Sequence, residues 1–238
     1  MNVSELFTSL SLGVFSNLAL GMDGVGEIRA TDQRKIIAYA NDALLALHSR
    51  FVLREAEVLI QQVEHITHYH LKRRFAITSQ SLEPYKYIID ISGEPFEEDV
   101  LKILGAYDSL GNQIVLNDSE LPNSYFTPKM DTLQIPNPMH GVGTSVIYQA
   151  RHPVLQYDGL SKDEMLKQEI NIPFFMEGLL RQHIASQTYS HMNSQEHTIK
   201  AQEYLTLYEV GCVEIEEKDM VNQTISTSHD KLHMRGFV

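Results

Sequence analysis

The chain has 238 residues, of which 43% are hydrophobic and 21% are charged, ordinary values for a globular protein that argue against bulk disorder. At about 150 residues per domain, this length fits one domain, or one domain with a sizeable insertion. Nineteen Lys and Arg stand against thirty-one Asp and Glu, a net charge of −12. We therefore do not expect tight nucleic-acid binding over the whole surface, because neutralising phosphates requires clustered cations.

The single cysteine and the first 21 residues exclude further classes. Cys212 alone allows neither an intrachain disulfide nor a multi-cysteine zinc site, and we interpret it as a packed side chain. Residues 1–21 contain Glu5 and no Lys or Arg, so they predict neither a signal peptide nor a membrane-spanning helix. The expectation is a soluble intracellular product without a membrane partner.

Residues 4–50 predict two helices. In the first, with Ser4 as N-cap, apolar residues recur every four positions from Leu6 to Leu18. A glycine-rich stretch, 21–26, interrupts this pattern. From Thr31 onward a second helix is indicated by an apolar stripe at helical spacing, formed by Ile36, Ile37, Ala40, Ala43, Leu44 and Leu47.

From about Phe51 to His152 the apolar pattern changes to a period of two, which is typical of strands. Val58 and Ile60 alternate with polar neighbours, and residues 85–91 are rich in aromatic and β-branched side chains. Two strand runs, 100–107 and 113–116, flank a short turn and predict a hairpin. We expect 146–150 to be the last strand of this antiparallel part.

Helices return after Asn171, a good N-cap, which is followed by Pro173 in the first turn. We predict one helix over 173–192 and a second over 195–211, which carries Ala201, Tyr204, Leu205 and Tyr208 on one face and ends near Gly211. The acidic stretch 214–219 and a polar tail follow. This order predicts an α+β fold with a helical bundle built from the N- and C-terminal helices, an inserted antiparallel β domain and an extended C-terminal tail.

The motifs that carry chemistry in other proteins are incomplete here. The glycines of 21–26 have the wrong order and context for a dinucleotide loop, and 140–145 lacks the lysine of a phosphate loop. Adjacent carboxylates such as Glu97 and Glu98 are typical of a solvated surface and not of an acid/base pair. We expect no catalytic residues, no metal and no cofactor, and therefore no enzyme.

Three histidines leave one alternative open. His65, His68 and His70 are close in sequence and could belong to a metal-dependent hydrolase. On a strand, however, His68 and His70 would face one way and His65 the other, and no carboxylate stands at ligand spacing. A solvent-facing surface across strands is the better interpretation.

The polar end of the chain, 220–238, contains too few apolar residues to form a core, yet it closes with Arg235, Gly236, Phe237 and Val238. It is either a disordered terminus or a segment that becomes ordered on a partner. In the second case, main-chain hydrogen bonds and one aromatic side chain would bind the partner.

Several stretches resemble the head-to-tail connector, or adaptor, proteins of short-tailed bacteriophages. The similar stretches are 18–51 with 34–37, Asn41 and 44–51, then 149–153, 171–173, the long run 180–221, and the ending 231–238. The resemblance includes both ends of the chain, whereas the β insertion matches by position. Because none of these stretches is a catalytic signature, the resemblance depends on their combined order.

The resemblance implies assembly. Such adaptors form a ring of twelve copies beneath the capsid portal, with helices toward the portal and a β-rich domain toward the tail. The implied partners are the portal protein, a tail nozzle or tube protein, further copies of this chain, and viral DNA that passes through the lumen without specific binding. The helices at 173–192 and 195–211 would pack subunit on subunit. The implied portal-docking residues are Asn222, Ser226, Arg235, Gly236, Phe237 and Val238.

The sequence thus predicts four regions: N-terminal helices (1–50), an inserted β domain (51–155), C-terminal helices (170–211) and a portal-docking tail (212–238). The predicted function is that of a structural virion protein of the neck, made in the host bacterial cytoplasm. One alternative is another tail component, such as a nozzle or gatekeeper. An alternative of another class is a hydrolase that uses His65, His68 and His70.

Overall fold

The fold is described from a computed structural model of the chain, over residues 1–16, 18, 27–192 and 194–221. These residues divide into two compact units. The helical unit consists of the described parts of Met1–Phe51 and His152–Val238, and the sheet unit is Val52–Arg151. No helix of the described ranges is long and apolar enough to cross a membrane.

Five α-helices occur in the described residues, all of them in the helical unit. They are α1 (Val3–Leu12), α2 (Ala30–Arg50), α3 (Lys162–Lys167), α4 (Glu177–Ser190) and α5 (Gln195–Glu217). The main contacts are those of α4 with α5, of α2 with α4 and of α1 with α3. Helix α2 buries the stripe that the sequence predicts, including Ile36, Ala40, Leu44 and Leu47.

The predicted bundle of N- and C-terminal helices is wrong. The helices are few, and α1 ends at Leu12 instead of continuing to Leu18, with Gly13 as its C-cap. Asn2, and not Ser4, caps α1, since its side chain accepts a hydrogen bond from the Glu5 amide and the Glu5 carboxylate accepts one from the Asn2 amide. The resulting short helix packs mainly against α3, so a bundle that includes all the N- and C-terminal helices is not shown.

The sheet unit contains eight strands in two antiparallel sheets. Five strands are ordered β3-β1-β8-β4-β5, formed by β1 (Glu55–Gln61), β3 (Ile88–Ile89), β4 (Val100–Tyr107), β5 (Gln113–Ile114) and β8 (Gly143–Ala150). Three are ordered β2-β7-β6, formed by β2 (His68–His70), β6 (Phe126–Lys129) and β7 (Thr132–Gln134). Pairing of Tyr107 with Gln113 confirms the predicted hairpin, and β8 includes the predicted last strand.

Both sheets contribute to one core. Val58 and Ile60 of β1 are buried, whereas their neighbours Glu57, Leu59 and Gln61 are exposed, as the period of two predicts. The other buried core positions in the strands include Tyr69, Ile103, Leu133, Val146 and Tyr148. The opposite face of β1 therefore remains in contact with solvent.

The chain enters and leaves the sheet unit side by side, because the first and last long strands pair. Glu55 is in register with Gln149, and the Ala150 amide donates to the Arg54 carbonyl at 2.9 Å. The Arg54 guanidinium donates to the Arg151 carbonyl at 3.0 Å and to the buried Asp99 carboxylate at 2.8 Å. Arg54 thus ties both ends of the unit to one buried carboxylate.

Replacing Ile60 by Ala should lower the free energy of unfolding by about 2–5 kcal/mol, because a fully buried side chain is deleted from the core. The matched control is Leu59→Ala on the same strand, where the side chain is 39% exposed and the expected loss is much smaller. Urea unfolding measures both values. Equal losses for the two variants would show that the buried and exposed faces of β1 are assigned wrongly.

Candidate assembly surface

Helix α5 is the longest element of the chain and continues past its predicted end. Its N-cap is Ser194, whose side chain accepts a hydrogen bond from the His197 amide at 3.1 Å. It reaches Glu217, six residues beyond Gly211, the expected stop. A Cβ at position 211 would overlap Cδ2 of Leu179 on α4, so this glycine allows a close approach between two helices and does not end one.

The inner face of α5 packs on α4. Its buried residues are Ala201, Tyr208, Cys212 and Ile215, at helical spacing. Ring contacts fix the pairing of the two helices: Tyr204 stacks on Tyr189 with 5.6 Å between ring centroids, and Tyr208 meets the edge of His183 at 4.9 Å. Burial raises the pKa of the Cys212 thiol, as expected for an inert packed side chain.

The outer face of α5 is also apolar but lies in solvent. Five large aliphatic side chains of this helix are exposed, by 55% at Ile199, 37% at Leu205, 51% at Leu207, 58% at Val210 and 43% at Val213. Ile199, Thr206 and Val213 stand seven residues apart, the spacing at which a helix presents one seam to a partner. We call this set, Ile199, Thr206, Leu207, Val210 and Val213, the outer face of α5. This face was not predicted from the sequence, in which the apolar residues of the opposite, buried face form the more regular stripe.

Helix α5 is strongly acidic, with six glutamates and one lysine over Gln195–Glu217. Arg50, from the end of α2, holds Glu209 at 2.7 Å and Glu216 at 2.6 Å. The hydrogen bond from Arg50 lowers the pKa of Glu216, and the same bond raises that of Arg50. Glu203 and Glu217 are exposed beside the outer face, and no ion pair of theirs is found within the described part of the chain.

His183 is a partly buried titratable group between three helices. It lies on α4, against Tyr208 of α5, and its Nδ1 atom is buried without a hydrogen-bond partner among the described residues. Burial lowers the pKa of His183, while Asp42 on α2 and Glu209 on α5 act in the opposite direction. The neutral imidazole is therefore the form that this packing favours.

Three basic residues follow one another at 72–74, and two of them form ion pairs with carboxylates of the sheet unit. Lys72 lies 2.8 Å from Asp131 and 3.1 Å from Glu98, and Arg74 lies 3.6 Å from Glu83. The hydrogen bond that the Lys72 ammonium donates to the Asp131 carboxylate raises the pKa of Lys72. Two of the three cations are thus neutralised within the chain and are not free to bind phosphate.

The structure does not bring the three candidate metal ligands together. His68 and His70 lie on β2, where His68 is exposed and His70 contacts Thr132 at 3.0 Å. His65 precedes this strand in a left-handed backbone conformation with φ 75°. Over the described ranges, no group of three His, Cys, Asp or Glu side chains is arranged to hold a metal ion.

The portal-docking residues implied by the resemblance lie outside the described residues. They are Asn222, Ser226, Arg235, Gly236, Phe237 and Val238. The described part of the predicted tail, from Cys212 onward, belongs to α5 as far as Glu217. Among the described residues, the outer face of α5 is an exposed apolar surface on the longest described helix.

We expect the stability of the chain to fall as the pH decreases below the ordinary His183 pKa of 6.5. The pKa is lower in the folded than in the unfolded chain, so protons favour unfolding. Substituting His183→Gln should reduce this loss, measured as the difference in free energy of unfolding between about pH 7 and about pH 5. The control is His191→Gln, an exposed histidine after α4, which should keep the pH dependence of the parent. If the His183→Gln variant lost as much stability between these two pH values as the parent, His183 would not be the group responsible.

Comparison with known proteins adds no relative: no protein-family model and no curated protein matches the chain. The likeness to phage adaptors therefore depends on the similar stretches of sequence. Any function assigned to the outer face of α5 is a proposal drawn from its geometry and charge.

Proposed function

We propose that this chain is a structural virion protein whose copies form a ring between the capsid portal and the tail and line part of the DNA channel. The observation that carries the proposal is the outer face of α5. A long helix that is buried on one side and apolar on the other is typical of a subunit that is completed by a neighbour. The resemblance to adaptor proteins suggests that this neighbour is another copy of the chain, within a ring.

Weak contacts suffice for such an assembly. Each buried Å² of apolar surface stabilises a contact by about 25 cal/mol, and a large part of that gain is offset by the lost freedom of the subunits. A closed ring joins many such contacts, and binding to one shared partner brings the copies to a high effective concentration. A portal would therefore template the ring, and a monomeric free chain agrees with this function.

The charge distribution supports a channel for DNA. The net charge is −12, and the basic run 72–74 is largely neutralised by Asp131, Glu98 and Glu83. Excess carboxylates repel phosphates, whereas free Lys and Arg would release counterions and hold the DNA. DNA would pass such a protein without being retained.

Two alternatives are weaker. A nozzle or gatekeeper of the tail would use the same kind of self-association and differs only in its neighbours. A hydrolase that uses His65, His68 and His70 receives no support from their positions, since His65 lies outside the strand that carries the other two.

The docking partner can be tested by electron microscopy. Mixed with portal rings of the phage that encodes it, the full-length chain should add a ring of twelve copies to the portal. A chain that ends at residue 221 should fold but fail to bind, because the removed residues include Arg235 and Phe237, the proposed anchors. Co-sedimentation with the portal measures the loss.

The control for that experiment is Arg235→Lys, which keeps the charge and should retain binding better than the truncation. Circular dichroism verifies that the shortened chain is folded. Undiminished co-sedimentation of the shortened chain would overturn the docking role of 222–238, and absence of any added ring with the full-length chain would overturn the proposed function.

A second experiment tests whether ion pairs within the chain keep Lys72 and Arg74 from binding DNA. Substituting Glu83→Gln, Glu98→Gln and Asp131→Asn together removes the partners of Lys72 and Arg74 and should create binding to duplex DNA at low salt. For about two freed cations, the slope of log K against log salt should be about −1.8. Gel retardation at several salt concentrations measures it.

The matched control changes the net charge equally at three exposed glutamates that have no ion pair within the described ranges: Glu55→Gln, Glu64→Gln and Glu120→Gln. This control should stay unbound. Equal retardation of both variants would show that net charge, and not the release of Lys72 and Arg74, governs DNA binding.

A further inference from the structure

The proposed ring requires a second surface on each copy. A head-to-tail ring joins two different surfaces of the same chain, whereas a twofold dimer joins one surface to itself. The outer face of α5 supplies one surface, and its apolar seam from Ile199 to Val213 is roughly 21 Å long at 1.5 Å per residue. Its counterpart must be of similar length and must tolerate acidic neighbours.

Helix α2 has a matching free side. One side of it is buried, whereas Lys35, Ala38 and Leu45 are exposed, at the spacing of one helical face. Leu45, in the middle of this 21-residue helix, is 46% exposed. We call Lys35, Ala38, Asp42, Leu45 and Ser49 the outer face of α2.

The two outer faces differ in charge. Glu203 and Glu217 border the outer face of α5, and Lys35 belongs to that of α2, beside the exposed Arg34. For Lys35 no carboxylate partner is found within the described residues, and Arg34 reaches only the exposed Asp158. Asp42 is a carboxylate on the same side of α2, so the basic character is concentrated in the first half of this helix.

Self-pairing of α5 is disfavoured by the same charges. Two copies of this helix side by side would bring Glu203 and Glu217 of both into a narrow seam, and like charges in such a seam are destabilising. Packing of α5 on α2 avoids this repulsion and places carboxylates near Lys35 and Arg34. It also covers the apolar side chains of both faces.

We infer that the outer face of α5 packs on the outer face of α2 of a second copy of this chain. The inference builds on the proposed ring and names the surfaces that would form it. The contact is heterologous, so each copy has one donor and one acceptor surface, and repetition of the contact gives a ring where the rotation between copies closes and an open filament where it does not. Its charged border makes it sensitive to salt.

Crosslinking between two differently tagged chains tests the contact. One chain carries Leu45→Cys and the other Val210→Cys, and a short bismaleimide is added to the concentrated mixture and again to rings on the portal. Both variants keep the native Cys212, because it is fully buried. The parent chain, treated with the same reagent, measures any crosslinking through Cys212. We expect mixed dimers from the two variants together and no dimers above the parent from either variant alone.

The control partner is Leu110→Cys, whose side chain is 85% exposed in the sheet unit and should give no mixed dimer with Val210→Cys. Dimers of Val210→Cys alone would overturn the inference in favour of α5 self-pairing, and absence of mixed dimers under both conditions would overturn it as well. Rings on the portal without mixed dimers would reject this contact and keep the adaptor function. Mixed dimers without rings on the portal would support the contact and reject the function.

Discussion

The close packing of α5 on α4 is the contact on which the rest of the helical unit depends. Gly211 lets α5 approach Leu179 where any larger residue would collide, and this approach fixes which side of α5 is buried. Tyr208, Cys212 and Ile215 then point inward. Val210 and Val213, one or two residues away in sequence, are left in water by the same rotation of the helix. The exposed apolar face of α5, which we propose for assembly, thus depends on a contact within the chain.

Three cations of the described residues join separate elements of the chain through ion pairs with carboxylates. Arg50 joins α2 to α5, Arg54 joins the ends of the sheet unit to Asp99, and Lys72 joins Glu98 to Asp131. Each arginine or lysine held in this way leaves the excess of carboxylates to the surface. The acidic character of the protein follows from its composition, 31 Asp and Glu against 19 Lys and Arg, and ion pairs within the chain leave this net charge unchanged.

The sequence allowed prediction of elements whose signal is local. The stripe of α2, the alternation of Val58 and Ile60, and the turn between β4 and β5 each lie within a few consecutive residues. The end of α5 and the bundle could not be predicted in this way. Whether Gly211 ends a helix or admits a neighbour depends on Leu179, which is 32 positions away in the chain. The outer face of α5 was missed for the same reason, since exposure depends on where α4 packs.

The two ends of the sheet unit lie on neighbouring strands, because β1 and β8 pair along their length. The Arg54 side chain also donates a hydrogen bond to the carbonyl of Arg151, the last residue of the unit. An insertion whose two ends are adjacent leaves only a short gap when it is removed from its host. Such a unit can be exchanged during evolution without rebuilding the helices that carry it. A lineage could therefore keep one helical scaffold while its inserted sheets diverge, with few constraints at the junction beyond the distance between two neighbouring strands.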